Sequence, residues 1–154
     1  MLLNTLFDVL RGFPREGAID ETFPIHQTTP GTPDVLHAGQ VVAVQSDGSV
    51  ALATTPNRSS ANGVATWVVV TDSTDFDASF VGSVTCLRAN AEFKLDPSTF
   101  TAATLAIGTK LTFSAGQWVT AATNTQIIGE VLANNVATDT TITVYYSGTD
   151  TASF

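Results

Sequence analysis

The chain has 154 residues and 44% hydrophobic content, enough for one domain with a real core and too apolar for a disordered chain. Its formal net charge of −8, from 14 acidic against 6 basic residues, opposes nucleic-acid binding, which needs clustered lysine and arginine to displace phosphate counterions. Charged residues are only 13% of the chain, so a partner can cover the Thr/Ser/Ala surface while stripping few charges of water.

Residues 2–10 carry helical periodicity. Leu2, Leu3, Leu6, Phe7 and Leu10 share one face of a predicted short helix, and Gly12 and Pro14 stop it. So short a helix does not persist alone in water, so its apolar face must pack on its own β domain, a sister subunit or another protein. The segment has no basic n-region and does not read as a signal peptide, and no window approaches the ~20 apolar residues of a membrane-spanning helix.

Residues 12–38 read as an extended arm. Pro14, Pro24, Pro30 and Pro33 disfavour central strands, while Phe13, Phe23 and Ile25 are apolar anchors. Fully extended, the arm reaches up to about 90 Å. It either straps its own domain or docks on a neighbouring subunit, and its length favours the second. The expected organisation is thus a helix and arm over 1–38, a β domain over 39–147 and a tail over 148–154.

Strand signals begin at Gly39. Val41–Val44 and Val50–Leu52 flank Asp47-Gly48, a strong hairpin signal that predicts a primed turn. Further strands are predicted over 63–70, 80–87 and 91–95, with an acidic loop at 71–79 between the first two. Residues 98–105 read equally as one helical turn or a loop. The glycine–strand–turn–strand device then recurs from Gly108, with Ala115-Gly116 as its turn, and strands follow over 126–132 and 140–146. Aligning the copies pairs Val42 with Leu111, Val44 with Phe113, Val50 with Trp118, and Val64 with Glu130 or Val131. Short strands broken by regular turns predict an all-β fold, a small β-barrel or β-sandwich of pseudo-repeated hairpins. Ile142, Val144 and Tyr146 alternate onto one face of the last strand.

No constellation of catalytic residues accompanies this scaffold. The histidines, His26 and His37, both lie in the arm and make a poor metal site. Asp72, Asp75 and Asp77 depart from calcium-loop spacing. There is no Gly-x-Ser-x-Gly elbow and no phosphate-binding loop, and Glu92 with Asp96 has only proximity in its favour. Cys86, the single cysteine, reads as a small buried hydrophobe. Trp67, Trp118, Tyr145 and Tyr146 allow a sugar platform, although their apolar strand settings favour a core or interface role. No enzyme activity, cofactor or metal is expected.

The order Gly39-strand-Asp47-Gly48-strand, Asn62-Gly63-Val64-Ala65, Ala106-Ile107-Gly108-Thr109-Lys110-Leu111 with Ala115-Gly116, Ile127-Ile128-Gly129-Glu130-Val131-Leu132, and Thr141-Ile142-Thr143-Val144-Tyr145 resembles capsid decoration, or cement, proteins of tailed bacteriophages. The resemblance covers about residues 37–147. It implies a β-barrel or β-tulip-like domain on the outside of the virion, assembled in the host cytoplasm and bound where major capsid protein subunits meet. It also implies a homo-oligomer, a trimer before a dimer. On that reading Leu2, Leu3, Leu6, Phe7, Leu10, Phe13, Phe23 and Ile25 are the candidate interface residues. The alternative is a phage fibre, tail or cell-surface β module binding carbohydrate or a host protein, with Trp67, Trp118 and the Asp72–Asp77 loop exposed together.

Overall fold

The structure is a computed structural model, and it describes residues 8–12, 19–54, 66–70, 73, 82–88, 91–95, 99–100, 104–122 and 126–147. These residues form an all-β fold of eleven strands: β1 (Asp8–Gly12), β2 (Ile19–Pro24), β3 (Val41–Val44), β4 (Val50–Leu52), β5 (Thr66–Val69), β6 (Ser83–Arg88), β7 (Ala91–Leu95), β8 (Lys110–Ser114), β9 (Gln117–Thr120), β10 (Gly129–Val131) and β11 (Ile142–Tyr146). They make two antiparallel sheets, ordered β2-β6-β5-β3-β4 and β1-β7-β11-β10-β8-β9. The sheets pack against each other and do not close into a barrel, so edge strands remain.

Apart from β1, the two sheet orders are the same topology executed twice. The first unit runs β2 to β6 and the second β7 to β11. The equivalence reaches individual hydrogen bonds. Gly39 N–H donates to Val69 O at 2.7 Å, and Gly108 N–H donates to Val131 O at 2.8 Å. Gln40 N–H donates to His37 O, and Thr109 N–H to Ala106 O, each at 3.1 Å. Both leading glycines sit at positive φ, 89° and 84°, where a side chain is strained. The aligned hairpin pairs hold, with Val44 opposite Val50 and Phe113 opposite Trp118, but the next strand aligns differently: Val68 and Val69, not Val64, are the equivalents of Glu130 and Val131, because position along the sheet and not the leading glycine sets the match. Parallel bridges match as well, Ile25 to Val50 and Phe100 to Trp118.

The turns differ from expectation. Asp47-Gly48 belongs to a longer loop closed by Gln45 N–H donating to Ser49 O, in which only Gly48 has positive φ (84°). The two-residue primed turn is Ala115-Gly116, with φ of 48° and 79°.

The units stack front to back. The inner face of the second unit supplies Phe93, Leu95, Leu111, Phe113, Trp118, Val131, Ile142, Val144 and Tyr146 to the main core, and the back of the first unit meets them with Val41, Ala43 and Val68. The first unit's own inner face forms a second core of Phe23, Ile25, Leu36, Val42, Val50, Trp67, Val69, Val84 and Cys86. Side chains alternate between faces along each strand, so β3 feeds Val41 and Ala43 to one core and Val42 to the other.

Two expectations for the N-terminal region need correction. Residues 8–12 are a strand paired with β7, so the end of the predicted helix, Leu10 included, lies in β-structure; its apolar pattern is too short to choose between the two periodicities, and pairing satisfies the backbone. The remainder of that helix, 2–7, lies outside the described residues. Within the arm, residues 19–24 take the strapping alternative and not the favoured docking one: they pair with β6 of their own domain in unbroken register from Ile19–Arg88 to Pro24–Ser83. Pro24 is tolerated because it sits on an edge strand.

Candidate functional site

The polar groups nearest to a site lie where the loop after β2 meets the β3–β4 turn. The lining of that cleft is Pro24, Ile25, His26, Gln27, Asp47 and Ser49. The bridge from Ile25 to Val50 and the bond from His26 N–H to Val50 O (2.9 Å) bring the two segments together. Ser49 Oγ donates to Asp47 Oδ1 at 2.6 Å, and Ser49 N–H to the same oxygen at 2.9 Å. These bonds, the side-chain one foremost, hold the Asp47 carboxyl below its ordinary value. His26 Nδ1 stands 3.4 Å from Ser49 Oγ and 4.0 Å from Asp47 Oδ2. Serine, histidine and aspartate meet here, but the order is wrong for nucleophilic catalysis. The hydroxyl proton goes directly to the carboxylate, and the carboxylate and hydroxyl crowd the same imidazole nitrogen, so no relay through the ring exists. The cluster is a turn lock.

A second cleft, of about 310 Å³, lies between the loop before β8 and the loop after β10, lined by Leu105, Ala106, Asn134, Asn135, Val136 and Asp139. Ile107 and Val136 are exposed hydrophobics of these two loops. Asn134 Oδ1 accepts from Ile107 N–H at 2.7 Å, and Asp139 Oδ2 from Val136 N–H at 2.8 Å, so these side chains brace their own loops.

Three of the four aromatic candidates, Trp67, Trp118 and Tyr146, are structural. Trp118 is buried in the main core, where its Nε1–H donates to Gly39 O of the first unit at 2.8 Å. Trp67 is buried in the second core, edge-on to Phe23 with ring centroids 4.9 Å apart and with the Arg88 guanidinium 5.9 Å from its ring centroid. Tyr146 is fully buried and donates to Thr66 O at 2.7 Å. The two indoles therefore face different cores and form no joint sugar platform.

Cys86 is buried in the second core, and burial pushes its thiol up to about 12, leaving it neutral and inert. Among the described residues no group of three or more His, Cys, Asp or Glu side chains is placed to hold a metal ion. His37 is exposed, and Glu92 is half-buried on β7; Asp96 and the Asp72–Asp77 carboxylates lie outside the described residues.

Of the interface candidates, Phe23 and Ile25 are buried in this chain's own second core, 8% and 3% exposed, because β2 and the loop after it complete the first unit. Leu10 lies at the register shift of β1, between Val9 and Arg11. Leu2, Leu3, Leu6, Phe7 and Phe13 lie outside the described residues.

One feature that sequence reasoning missed is the back of the second unit. Val41 and Val68, paired across β3 and β5 and buried between the units, have Lys110 and Glu130 as their equivalents on β8 and β10. Those two side chains form an ion pair on the outer face. The signal was present in the aligned copies as a valine-to-lysine change.

Comparison with known proteins finds no matching family model and no matching curated sequence.

Proposed function

We propose that this chain is a structural virion protein that binds the outer surface of a bacteriophage capsid and stabilises contacts between major capsid protein subunits. What supports the reading is a coincidence. The glycine-led motif order that resembles decoration proteins follows the hydrogen-bonded framework of two stacked β units, with Gly39 and Gly108 at equivalent corners. A scaffold tied by two cores and carrying few charges suits a plug that covers lattice junctions at low desolvation cost. In this reading the domain is β-tulip-like and the protein acts as a homo-oligomer, a trimer or else a dimer, without cofactor or catalysis. Leu2, Leu3, Leu6, Phe7, Leu10 and Phe13 supply subunit or capsid contacts.

A ligand that binds only the assembled lattice adds its binding free energy to the stability of that lattice, and repetition by symmetry multiplies weak contacts into avidity. The test is co-sedimentation of the purified protein with expanded heads and with procapsids. Saturable association with expanded heads, accompanied by a higher disruption temperature, is expected. Association with neither particle would overturn the proposal.

A further inference from the structure

We infer that the corner of the second unit formed by Ile107, Gly108, Lys110 and Ala121 is a docking notch for the tight glycine turn of another protein's β-hairpin, with a tryptophan two residues after that glycine.

The internal repeat supplies the template. In the first unit Ala53 N–H donates to Val41 O at 3.0 Å, but the return bond from Val41 N–H to Ala53 O is not made. The Ala115-Gly116 turn of the second unit is set into that gap. Val41 N–H donates to Gly116 O at 2.8 Å, and Gly116 N–H donates to Ala53 O at 2.9 Å. Two residues on, Trp118 Nε1–H donates to Gly39 O at 2.8 Å. Three backbone groups of one unit thus receive one turn and one indole of the other.

The second unit builds the same notch again. Leu111 faces Thr120 as Val42 faces Leu52, so Lys110 and Ala121 are the equivalents of Val41 and Ala53. Ala121 N–H donates to Lys110 O at 2.9 Å, and again the return bond from Lys110 N–H to Ala121 O is not made. Gly108 O stands where Gly39 O stands. Lys110 N–H, Ala121 O and Gly108 O have no backbone partner among the described residues.

Exposure shows that the notch is open. In the first unit Ala38 and Ala53 are 2% and 1% exposed, within the main core, and Gly39 is buried. Their equivalents Ile107 and Gly108 are exposed, Ile107 to 64%, and Ala121 is half-buried. Nothing lies within 4 Å of the Cβ that Gly108 lacks. An exposed isoleucine therefore stands beside one backbone donor and two acceptors arranged as in the filled notch.

The template also selects the occupant. Gly116 has a φ of 79°, so the residue set into the gap is one that takes positive φ without strain, a glycine. A second copy of this chain does not supply it. Its Ala115-Gly116 turn is committed to its own first unit. In its β3–β4 loop Gly48 N–H already donates to Gln45 O at 3.0 Å, and Val50 stands where the indole is required. The Lys110–Glu130 ion pair beside the notch suits a turn with polar flanks and not a whole apolar sheet face. The partner is a different protein, and the inference stands independently of the capsid reading.

The test uses the full chain and a backbone-cyclised hairpin peptide with threonine-rich strands, an Ala-Gly turn and a tryptophan two residues after the glycine. At saturation the peptide is expected to slow amide exchange at Lys110 at least tenfold. Sarcosine in place of the peptide's glycine removes the donor to Ala121 O, and phenylalanine in place of its tryptophan removes the donor to Gly108 O. Each should weaken binding about tenfold, the loss expected for one hydrogen bond with its partner left unpaired. Lys110→Pro removes the protein's donor and should weaken binding by a similar factor. Ile107→Asp leaves the backbone intact, should also weaken binding, and serves if Lys110→Pro fails to fold. Unchanged exchange at Lys110 under saturating peptide would overturn the inference. So would equal binding of the glycine and sarcosine peptides, or a response confined to Val41, which would mean that the peptide enters the filled notch instead.

Discussion

At the residue scale, two kinds of glycine carry different costs. A Cβ on Gly129 would overlap the Tyr145 carbonyl oxygen and lie 3.2 Å from Trp118 Cζ3, so the β10–β11 pair would have to separate. Gly129→Ala should lower unfolding free energy by about 3 kcal/mol in denaturant titration, at the upper end of overpacking costs. Gly108 has open space around its missing Cβ and a φ of +84°, so Gly108→Ala should cost only the conformational strain, about 1–2 kcal/mol. Burial of titratable groups gives a pH dependence. Desolvation raises both the Cys86 thiol and, as its first cause, the Tyr146 phenol to about 12. An unfolded chain ionises these groups first, from about 9 and 10 upward, so above those values it holds fewer protons than the native state and stability falls as pH rises towards 12. Chemical denaturation midpoints should drop across that window. Cys86→Ala should remove the thiol's share of the slope, and native protein should leave a thiol reagent unconsumed until it unfolds.

At the element scale, the two units are joined through their hairpins. Val41 N–H donates to Gly116 O at 2.8 Å, Gly116 N–H donates to Ala53 O at 2.9 Å, and the Trp118 indole reaches Gly39 O. Trp118→Phe removes the indole donor and leaves a buried carbonyl unpaired, so a loss of at least ~2 kcal/mol is expected from the bond and the vacated volume together. Tyr146→Phe, which also severs a link between units, should cost nearer ~1 kcal/mol because the ring remains. Thermal melting of the two variants checks the order. These joints also show what was readable beforehand. Gly39, Gly108 and the facing pairs Val44–Val50 and Phe113–Trp118 follow from turn chemistry and alternation, which are local. The equivalence of β2 with β7 was not readable: Ile19–Pro24 and Ala91–Leu95 share no turn residue, and what makes them alike is the strand each one pairs with. The prolines of residues 14–33 misled for the same reason, since proline excludes central strands and permits an edge. The sugar-platform alternative turned on aromatic exposure, which depends on how the sheets stack rather than on any local pattern.

At the scale of the whole molecule, the first 38 residues contribute structure to both sheets. Removing residues 1–12 deletes β1 and leaves both five-stranded units, so a cooperative transition with a modestly lower midpoint is expected. Removing residues 1–38 deletes β2, Ile25 and Leu36 and opens the second core. That truncation should bind a hydrophobic dye and lose its cooperative melt. An equally stable protein after the longer truncation would mean that the first unit does not depend on its own edge strand.

The valine-to-lysine and valine-to-glutamate changes on the outer sheet have a consequence best put in the language of polymers. A unit whose front fits its own back is a monomer competent for propagation, and head-to-tail contacts that do not close into a ring grow into fibres. This chain contains one such propagation step, made within a single polypeptide. Growth stops for two reasons: the first unit's inner face is filled by its own core and offers no further front, and Lys110 and Glu130 charge the back on which a next front would sit. Lys110→Val with Glu130→Val should therefore let two backs meet and no more, read as a concentration-dependent dimer without larger species in sedimentation velocity. The parent chain should show no such dimer through this face.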